Sequence, residues 1–569
     1  MAADHVFALI VGGGMSGITL AAQLLSQKSL RRGEFVIVDR WDDYGGVWEA
    51  NKYPGAACDV PSHAYVLPFY LNPTWSRAYA TQPEIQQYYA SVAQHYRLRE
   101  CSVFNTTVLS ATWDEVTLKY TVVAQDNRSG KRRTWIANVV VDAGGQFWRP
   151  KYAAIPGAET FKGAVWHTAE WRDDYDLRGK RVAMIGTGPS TAQVAPRIQP
   201  LVKELILYQR SATYCMPRND KQQPGWKKFL FKWFPPLLWA YHLWYYFSIE
   251  GSMKMWLSGT PEQAQASAYA LHHLETTVKD PITRAKLKPT SQFGCKRILF
   301  LDDWYPMFNK PNVKLITDKP LRITEDGIVS KPAQLVEADA AKKEPVDGYN
   351  PPVPVPLYPA ATDSESQSEV EEKIDVLIWG TGFDMTHQGS HFQVNGIGGA
   401  NLEQLWESST PRGYYAVAVN KFPNFLMMLG PNSANFWSNL TMVCLVQARF
   451  NAQLIKKIKA ECRTAPYALN VSEKAQTAYN KAIYGAMGNI AILSPGCHNY
   501  YTNDKGEATF WNPMHGWTYA WRTWWPNWAD FDHYGPRFTK SPRVGTKAGA
   551  EARVGKNADI VVETAAVGA

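Results

Sequence analysis

The chain has 569 residues, which is enough for two or three domains, and its 45% apolar and 20% charged residues exclude wholesale disorder. The net charge of +9 is spread along the chain without a basic arm or a basic–aromatic repeat. We therefore expect anionic cofactors, and not nucleic acid, as its partners. The 23 tryptophans indicate aromatic-lined cavities or interfaces.

The cysteines and the N-terminus predict the cellular compartment. The 7 cysteines form no CxxC pair and no zinc spacing, which predicts free thiols in a reducing compartment and no metal site. The first residues run directly into an apolar strand and leave no room for a signal peptide. We expect an intracellular, cytoplasmic protein.

A glycine-rich turn follows the first predicted strand. The stretch "HVFALIVGGGMSGITLAAQLL" is an apolar strand, then Gly12-x-Gly14-x-x-Gly17, then a helical apolar period. Such glycines permit a tight turn, close approach of the backbone to a pyrophosphate, and close helix–strand packing. The next strand ends in Asp39, where an acidic residue holds an adenosine ribose. The pattern predicts an FAD site.

A second turn of the same type lies in "GKRVAMIGTGPSTAQVAPRI", where Thr191 stands in place of a third glycine. The residues predicted to contact the dinucleotide here are Gly186, Thr187, Gly188, Pro189, Ser190, Thr191 and Gln193. The following strand ends in Arg210 and Ser211 and not in an acid. Because an arginine can pair with a 2′-phosphate, this site is predicted to bind NADPH. An ordinary surface arginine is the alternative interpretation of Arg210.

Two further strands predict how the domains are connected. "VVVDAGGQF" (139–147) and "KIDVLIWGTGFD" (373–384) resemble the strand ends at which a first nucleotide domain is left and re-entered. The predicted fold is α/β, with an NADPH domain inserted into an FAD domain and a helical insertion. The predicted boundaries are 1–147 and 371–540 for the FAD domain, 148–215 and 291–370 for the NADPH domain, and 216–290 for the helical insertion.

Five segments resemble one enzyme family, the Baeyer–Villiger monooxygenases, which are class B flavoprotein monooxygenases. "GGVWEANKYPGAACDVPSHAY" (45–65) resembles the stretch after their ribose-binding strand. The family fingerprint F-x-G-x-x-x-H-x-x-x-W matches at Phe161, Gly163, His167 and Trp171, and Arg172 departs from it at the next position. The segments 293–313, 422–433 and 496–501 resemble the arginine-bearing, FAD and substrate segments of the family.

The resemblance implies roles for individual residues. Arg297 maps to the catalytic arginine, and Asp59 to the carboxylate that positions it. The residues implied to contact FAD, besides those of the first turn, are Gly46, Val47, Trp48, Asp59, Val60 and Tyr65. Those implied to contact NADPH, besides those of the second turn, are Ala57, Cys58 and Lys296. His167 and Trp171 are predicted to anchor the linker between the domains, with proton transfer by His167 as the alternative.

The reaction implied by the resemblance is the oxidation of a ketone to an ester or lactone. NADPH reduces FAD, and the reduced flavin binds O2 as a C4a-peroxide that attacks the carbonyl. Arg297 would stabilise the negative charge. The aromatic-rich segments predict a bulky, apolar ketone. Two alternatives remain at this point: a heteroatom (S or N) oxygenase, which Arg172 favours, and a flavin-dependent reductase or non-catalytic flavin-binding protein.

Four segments lie outside these motifs. The apolar run 229–249 is interrupted by Pro235 and Pro236, which predicts a helical insertion with an interfacial membrane patch as the alternative. The tryptophans at 517–528 are predicted to pack in the interior, with a tunnel lining or a membrane contact as alternatives. Residues 335–372 are predicted to be a mobile loop, and 541–569 a disordered tail.

Overall fold

The computed structural model describes residues 3–331, 369–385, 391–497, 499–502, 506–507 and 509–537. The predicted tail at 541–569 and most of the predicted loop at 335–372 lie outside the described residues. The mixed α/β architecture predicted from the sequence is confirmed within them.

Twenty strands are assigned in the described residues. They are β1 (Asp4–Val11), β2 (Phe35–Val38), β3 (Ser102–Val103), β4 (Thr106–Asp114), β5 (Lys119–Asp126), β6 (Arg132–Asp142), β7 (Ala164–His167), β8 (Arg181–Ile185), β9 (Glu204–Tyr208), β10 (Cys215–Met216), β11 (Leu299–Phe300), β12 (Val313–Ile316), β13 (Pro320–Ile323), β14 (Gly327–Ser330), β15 (Val370–Lys373), β16 (Val376–Trp379), β17 (Gln393–Asn395), β18 (Phe425–Met427), β19 (Ala468–Val471) and β20 (Phe531–Tyr534).

Thirteen α-helices are assigned in the same residues, besides short 3-10 turns. They are α1 (Met15–Ser26), α2 (Val47–Ala50), α3 (Gln82–His95), α4 (Pro189–Ile198), α5 (Gly225–Trp233), α6 (Pro235–Gly251), α7 (Pro261–Thr277), α8 (Pro281–Leu287), α9 (Trp304–Met307), α10 (Leu402–Ser408), α11 (Leu440–Cys462), α12 (Glu473–Gly485) and α13 (Gly516–Arg522).

The first sheet has eight strands in the order β17-β4-β5-β6-β1-β2-β3, and β18 also pairs with β6. Strands β18, β6, β1, β2 and β3 run parallel, whereas β4, β5 and β6 form an antiparallel meander. The parallel part is buried on both faces, which explains why β2 is the continuous apolar run "FVIV". Helices α1 and α11 pack against each other, and their buried side chains share one hydrophobic core with Ile10 of β1 and Ile37 of β2.

The second sheet is fully parallel, in the order β12-β9-β8-β16-β7. All of its strands come from the part of the chain between β6 and β17, so the predicted insertion of one dinucleotide-binding fold into the other is confirmed. The predicted return to the FAD domain at residue 371 is wrong. Val376–Trp379 pairs with both β7 and β8, and the chain rejoins the first sheet only at Gln393–Asn395. An apolar run alone could not distinguish which sheet it would join.

The helices α5 to α8 lie between β10 and β11. The run 229–249 forms two helices that meet at Phe234, because Pro235 and Pro236 can occupy only the first turn of a new helix. Within the described residues, no helix is long and apolar enough to cross a membrane. Helix α13 ends before Pro526, and Trp517, Trp521, Trp524 and Trp528 are exposed, so the prediction that they pack in the interior is wrong.

Candidate active site

The first glycine turn brings three backbone segments close together. Gly12 has φ +108°, and a Cβ on it would lie 2.5 Å from the carbonyl oxygen of Ala143 at the end of β6. A Cβ on Gly17 would lie 1.9 Å from the carbonyl oxygen of Gly12, and one on Gly14 would lie 3.2 Å from Cα of Gly46. These positions require glycine, and the resulting cradle at the start of α1 fits a pyrophosphate.

The predicted ribose carboxylate, Asp39, lies beside this turn. It accepts hydrogen bonds from the backbone N–H groups of Gly13 and of Trp41, the latter at 2.8 Å. Burial raises the pKa of Asp39, although both N–H donors favour the ionised form. The acid and the glycine turn therefore form one unit at the carboxyl ends of β1 and β2, as the spacing predicts.

The segment after Gly46 lines the same side of the sheet. Val47 and Trp48 begin α2, and the Trp48 indole N–H donates to the Tyr65 hydroxyl at 3.1 Å. Tyr65 is buried and the Val60 side chain is half-buried against the same core. The structure thus brings together the predicted FAD contacts from 46 to 65 with those of the first turn.

The second turn has the same construction with one substitution. Gly186 has φ +98°, and a Cβ on it would lie 2.5 Å from the carbonyl oxygen of Gly380. Thr191 occupies the third-glycine position and is buried; a Cβ on Gly380 would lie 1.9 Å from its Oγ1. A glycine after β16 therefore makes room for the threonine. Thr187, Gly188, Pro189 and Ser190 form the loop and first turn of α4.

Two cations lie beside this turn. Arg210 and Ser211 are exposed after β9, and Lys296 is half-buried. Burial lowers the pKa of Lys296, and the positive charge of Arg210 lowers it further. Among the described residues, neither forms a salt bridge. Paired cations without a carboxylate are suited to a phosphate group.

Gln193 joins the two dinucleotide-binding folds. From α4, its side-chain N–H donates to the carbonyl oxygen of Ala57 at 2.9 Å, and its Oε1 accepts from the Tyr53 hydroxyl at 3.1 Å. Cys58 is buried in the core of the first fold, and burial raises the pKa of its thiol. The side chain of Cys58 therefore packs in the core, while Ala57 and Gln193 lie at the junction.

Arg297 and Asp59 meet at this junction although 238 residues separate them. The Arg297 Nη2 donates to the Asp59 Oδ2 at 2.5 Å. The Asp59 carboxylate raises the pKa of Arg297, so the guanidinium remains charged. The side chains retain 36% and 24% exposure, so the cation remains accessible to a small molecule. The pairing predicted from the two separate segments is present.

The sequence prediction did not assign a role to Tyr501. Its buried hydroxyl interacts with the Arg297 side chain, and burial raises its pKa. The neighbouring Tyr500 hydroxyl accepts from the Phe383 N–H at 2.6 Å. The segment 496–501 was identified by resemblance, but only its contacts distinguish Tyr500 and Tyr501 from the other aromatic residues.

A disulfide joins Cys295 to Cys497. The prediction that all cysteines are free is therefore wrong for this pair, while Cys58, Cys101, Cys215, Cys444 and Cys462 are free. The two residues lie 202 positions apart, and no spacing rule identifies such a pair. The bond attaches the segment containing Tyr501 two residues before Arg297.

Two segments cross between the folds, residues 143–163 after β6 and residues 380–385 after β16, and we call them the crossings. The fingerprint histidine lies where the two crossings meet. The crossings pair through Lys151 N–H to the Gly382 carbonyl at 2.8 Å and Asp384 N–H to the Arg149 carbonyl at 2.9 Å. His167, at the end of β7, is buried and packs its ring on Tyr152 and Phe383 with centroid distances of 5.5 and 6.0 Å. Burial lowers the pKa of His167, and its Nδ1 accepts from the Ala169 N–H at 3.0 Å.

The other fingerprint residues pack around β7. Phe161 is buried, and a Cβ on Gly163 would lie 2.5 Å from both the Asp375 carbonyl oxygen and the Phe161 ring. Trp171 packs edge-on against Trp166 at 5.7 Å.

Arg172, the residue that departs from the fingerprint, lies at the surface over the Tyr175 ring, at 5.8 Å from its centroid. It forms an exposed ion pair with Asp174. A surface ion pair of this kind gives Arg172 no contact with the junction where Arg297 and Asp59 lie.

A cavity of about 350 Å³ lies between the 3-10 turn after α6 and the segment that follows α12, and its lining includes residues 485–486 and 488–490. Met253, Leu257, Ile490 and Pro513 contribute its apolar walls. Gly294 lies close to this wall, since a Cβ on it would lie 3.0 Å from the Ala491 side chain. The cavity is large enough for a bulky apolar molecule.

Comparison with known proteins identifies the family. The family described as flavin-binding monooxygenase-like matches residues 7–242. The chain is 34% identical over 508 residues to the FAD-binding monooxygenase BOA2 of Botryotinia fuckeliana, covering 89% of this chain and 90% of that protein. It is 32% identical over 515 residues to a Baeyer–Villiger monooxygenase of Pseudomonas aeruginosa, covering 90% and 88% of the two chains.

The fold agrees with solved structures. A steroid monooxygenase bound to NADP matches with a TM-score of 0.75 and 24% identity, over 93% of this chain and 99% of that chain. An open cyclohexanone monooxygenase matches with a TM-score of 0.73 and 22% identity, over 93% and 99%. Given these relationships and the geometry above, the chain belongs to the flavin-binding monooxygenase-like family and, within it, to the Baeyer–Villiger monooxygenases.

Proposed function

We propose that this enzyme uses FAD, NADPH and O2 to convert a bulky apolar ketone to an ester or lactone. One oxygen atom of O2 enters the carbon–carbon bond beside the carbonyl, the other becomes water, and NADPH supplies the two electrons. FAD supplies the redox chemistry when it is bound. The observation that carries the proposal is the Arg297–Asp59 pair at the junction of the two dinucleotide-binding folds.

In this proposal the residues of the chain bind the two cofactors and stabilise the negative charge that forms during the reaction. In this proposal the first turn and Asp39 hold FAD, and the second turn, Arg210 and Lys296 hold NADPH. The reaction develops negative charge on oxygen, and the fixed cation of Arg297 stabilises that charge. Asp59 acts through Arg297 as a positioning residue, because its carboxylate sets the direction of the guanidinium.

The cavity beside Gly294 supports the choice of substrate class. Its walls combine apolar side chains with polar groups such as Asn489, and its volume of about 350 Å³ accommodates a bulky ketone. Arg172 forms an exposed ion pair with Asp174, so its contacts give no support to a heteroatom oxygenase. Ketone oxidation is therefore the single activity proposed.

The proposal also includes peripheral contact between residues 229–249 and a membrane surface. These residues carry exposed aromatic side chains and no acidic side chain. Such a composition is typical of interfacial segments.

The test uses Arg297→Ala with Arg133→Ala as the matched control, since Arg133 pairs with Asp4 at the amino-terminal ends of β6 and β1, at the surface. We expect Arg297→Ala to keep FAD and to be reduced by NADPH at the wild-type rate, while ester yield falls at least about 100-fold. Incorporation of labelled oxygen from O2 into the product and hydrogen peroxide release are measured together. Wild-type product yield from Arg297→Ala would refute the assigned role.

A further inference from the structure

The helices α5 and α6 bury one narrow stripe and expose the rest of their surface. On α6 the buried residues Leu238, His242, Tyr246 and Glu250 recur every four positions and form a single stripe. His242 Nδ1 lies 2.8 Å from the His63 carbonyl oxygen, which attaches this stripe to the first fold. The opposite side of α6 therefore faces away from the protein.

Large apolar side chains occupy the outward sides of α5 and α6. Exposed residues there include Trp226, Phe229, Trp233, Trp239, Trp244 and Phe247, and Trp226 has 68% of its surface exposed. The outer face of a helix on a globular protein is ordinarily charged or polar. A contiguous exposed apolar surface of this kind indicates an interaction site.

The region around α13 adds a second group of exposed rings. Trp517, Trp521, Trp524, Trp525 and Trp528 are all exposed, and Trp521 reaches 80%. The two groups adjoin at the end of α6. There the Glu250 carboxylate accepts the Gly516 N–H at 2.9 Å and lies 3.0 Å from His515 Nδ1. We define the exposed side chains of 226–247 and 517–528 together as the aromatic face.

The charges of the aromatic face distinguish between its possible partners. Residues 225–249 and 516–528 contain Lys227, Lys228, Lys232 and Arg522 but no Asp or Glu. Two copies of this face would place cations against cations without a carboxylate between them, which opposes self-association. A bilayer with anionic headgroups complements the same charges, and tryptophans flanked by lysines are suited to its interfacial layer.

We propose that the aromatic face is a membrane-docking surface that lies in the headgroup layer of an anionic bilayer. It extends the contact proposed above for 229–249 to a second segment, 517–528, and it does not depend on ketone oxidation. Insertion is interfacial, since α5, α6 and α13 have 9, 17 and 7 residues and no described helix can span the hydrocarbon layer.

The experiment measures binding of the full-length, FAD-loaded protein to vesicles of phosphatidylcholine with and without phosphatidylserine, in the absence of substrate. The test variant is Trp226→Ser/Phe229→Ser/Trp233→Ser, and a second test variant is Trp521→Ser/Trp525→Ser. The matched control is Val116→Ser/Ile282→Ser, which removes two exposed apolar side chains outside the aromatic face.

We expect the wild type to float with vesicles, more strongly when phosphatidylserine is present, and less strongly in high salt. Each test variant should reduce the bound fraction at least about tenfold, and the control should not. Lys228→Gln/Lys232→Gln should remove the preference for phosphatidylserine. Ketone turnover by each variant is measured separately, in buffer without detergent and without vesicles. Loss of membrane docking is therefore distinguishable from loss of activity.

Two results would overturn the proposal. The first is a wild-type protein that does not float with either vesicle. The second is a concentration-dependent dimer in sedimentation velocity that the Trp226 variant abolishes and that vesicles do not dissociate. The second result would identify another copy of the chain as the partner.

Discussion

At the scale of single residues, two electrostatic arrangements carry the proposed chemistry. Arg297 is held by a carboxylate and keeps its charge, whereas Lys296 lies beside another cation and burial lowers its pKa. One cation is therefore oriented by the protein itself, while the other pair, Lys296 with Arg210, is left for an external anion. This contrast supports the assignment of Arg297 to the reaction and of Lys296 and Arg210 to the NADPH phosphate.

Arg210→Ala tests the second arrangement. Loss of one of two phosphate-binding cations should raise the KM for NADPH about tenfold and leave the KM for NADH unchanged, because only NADPH carries a 2′-phosphate. Lys203→Ala, at the opposite end of β9, is the control. Steady-state kinetics with both nucleotides measure the ratio, and an unchanged NADPH preference would place the phosphate elsewhere.

At the scale of elements, the two crossings and the segment 496–501 act on one another. The crossings pair with each other beside His167, and Tyr500 accepts a hydrogen bond from the second crossing. Tyr501 interacts with Arg297, and Cys497 is bonded to Cys295. These contacts and the disulfide connect the segments that cross between the folds with the position of Arg297.

His167→Ala tests the anchoring of the crossings. Its removal takes away the ring contacts with Tyr152 and Phe383, so the crossings lose their common support. We expect turnover to fall about tenfold while bound FAD and the KM for ketone remain near wild type. Val165→Ala on the same strand is the control. Loss of FAD from the variant would indicate instead that His167 supports the whole fold.

Cys497→Ser tests the disulfide. Releasing a closed loop of this length destabilises the native state by ~5 kcal/mol in a chain-entropy description, so the melting temperature should fall. The variant enzyme should also release more hydrogen peroxide per NADPH consumed, because Tyr501 in the freed segment then positions Arg297 less well. Cys462→Ser, which changes a free thiol, serves as the control. Equal melting temperatures with and without reductant in the wild type would contradict the prediction.

At the scale of the whole molecule, acid sensitivity follows from buried neutral histidines. Burial lowers the pKa of His63 to about 3 and also lowers that of His167 and His242. As pH falls below about 6.5, the unfolded chain binds protons that the native protein excludes, so stability decreases. His63 alone lowers the free energy of unfolding by about 1 kcal/mol at about pH 5.5, one pH unit below the ordinary histidine pKa.

The melting temperature as a function of pH measures this effect. We expect a decline between neutral pH and about pH 5 that is smaller in His63→Gln, since glutamine does not titrate. His272→Gln, which changes an exposed histidine, should retain the wild-type slope. A His63→Gln slope equal to that of the wild type would mean that other groups dominate the acid response.

Local features were predictable because short-range sterics encode them. The glycines at 12, 14, 17 and 186 and the strands before them are predictable from spacing, since a Cβ at these positions would meet neighbouring backbone atoms at 3.2 Å or less. Asp39 after β2 and Arg210 after β9 are predictable for the same reason, because each lies at the end of the strand that follows a glycine turn and its helix. The resemblance then predicted the pairing of Asp59 with Arg297 without indicating how the chain brings them together.

By itself, the sequence determined the two dinucleotide turns, the order of the nested folds and the residue types available to the reaction. Only the tertiary structure decided that β16 joins the second sheet, that Cys295 bonds to Cys497, and that the tryptophans after Gly516 face outward. The reason is physical. A turn is set by its own backbone, whereas strand pairing, disulfide formation and exposure depend on contacts between segments far apart in the chain.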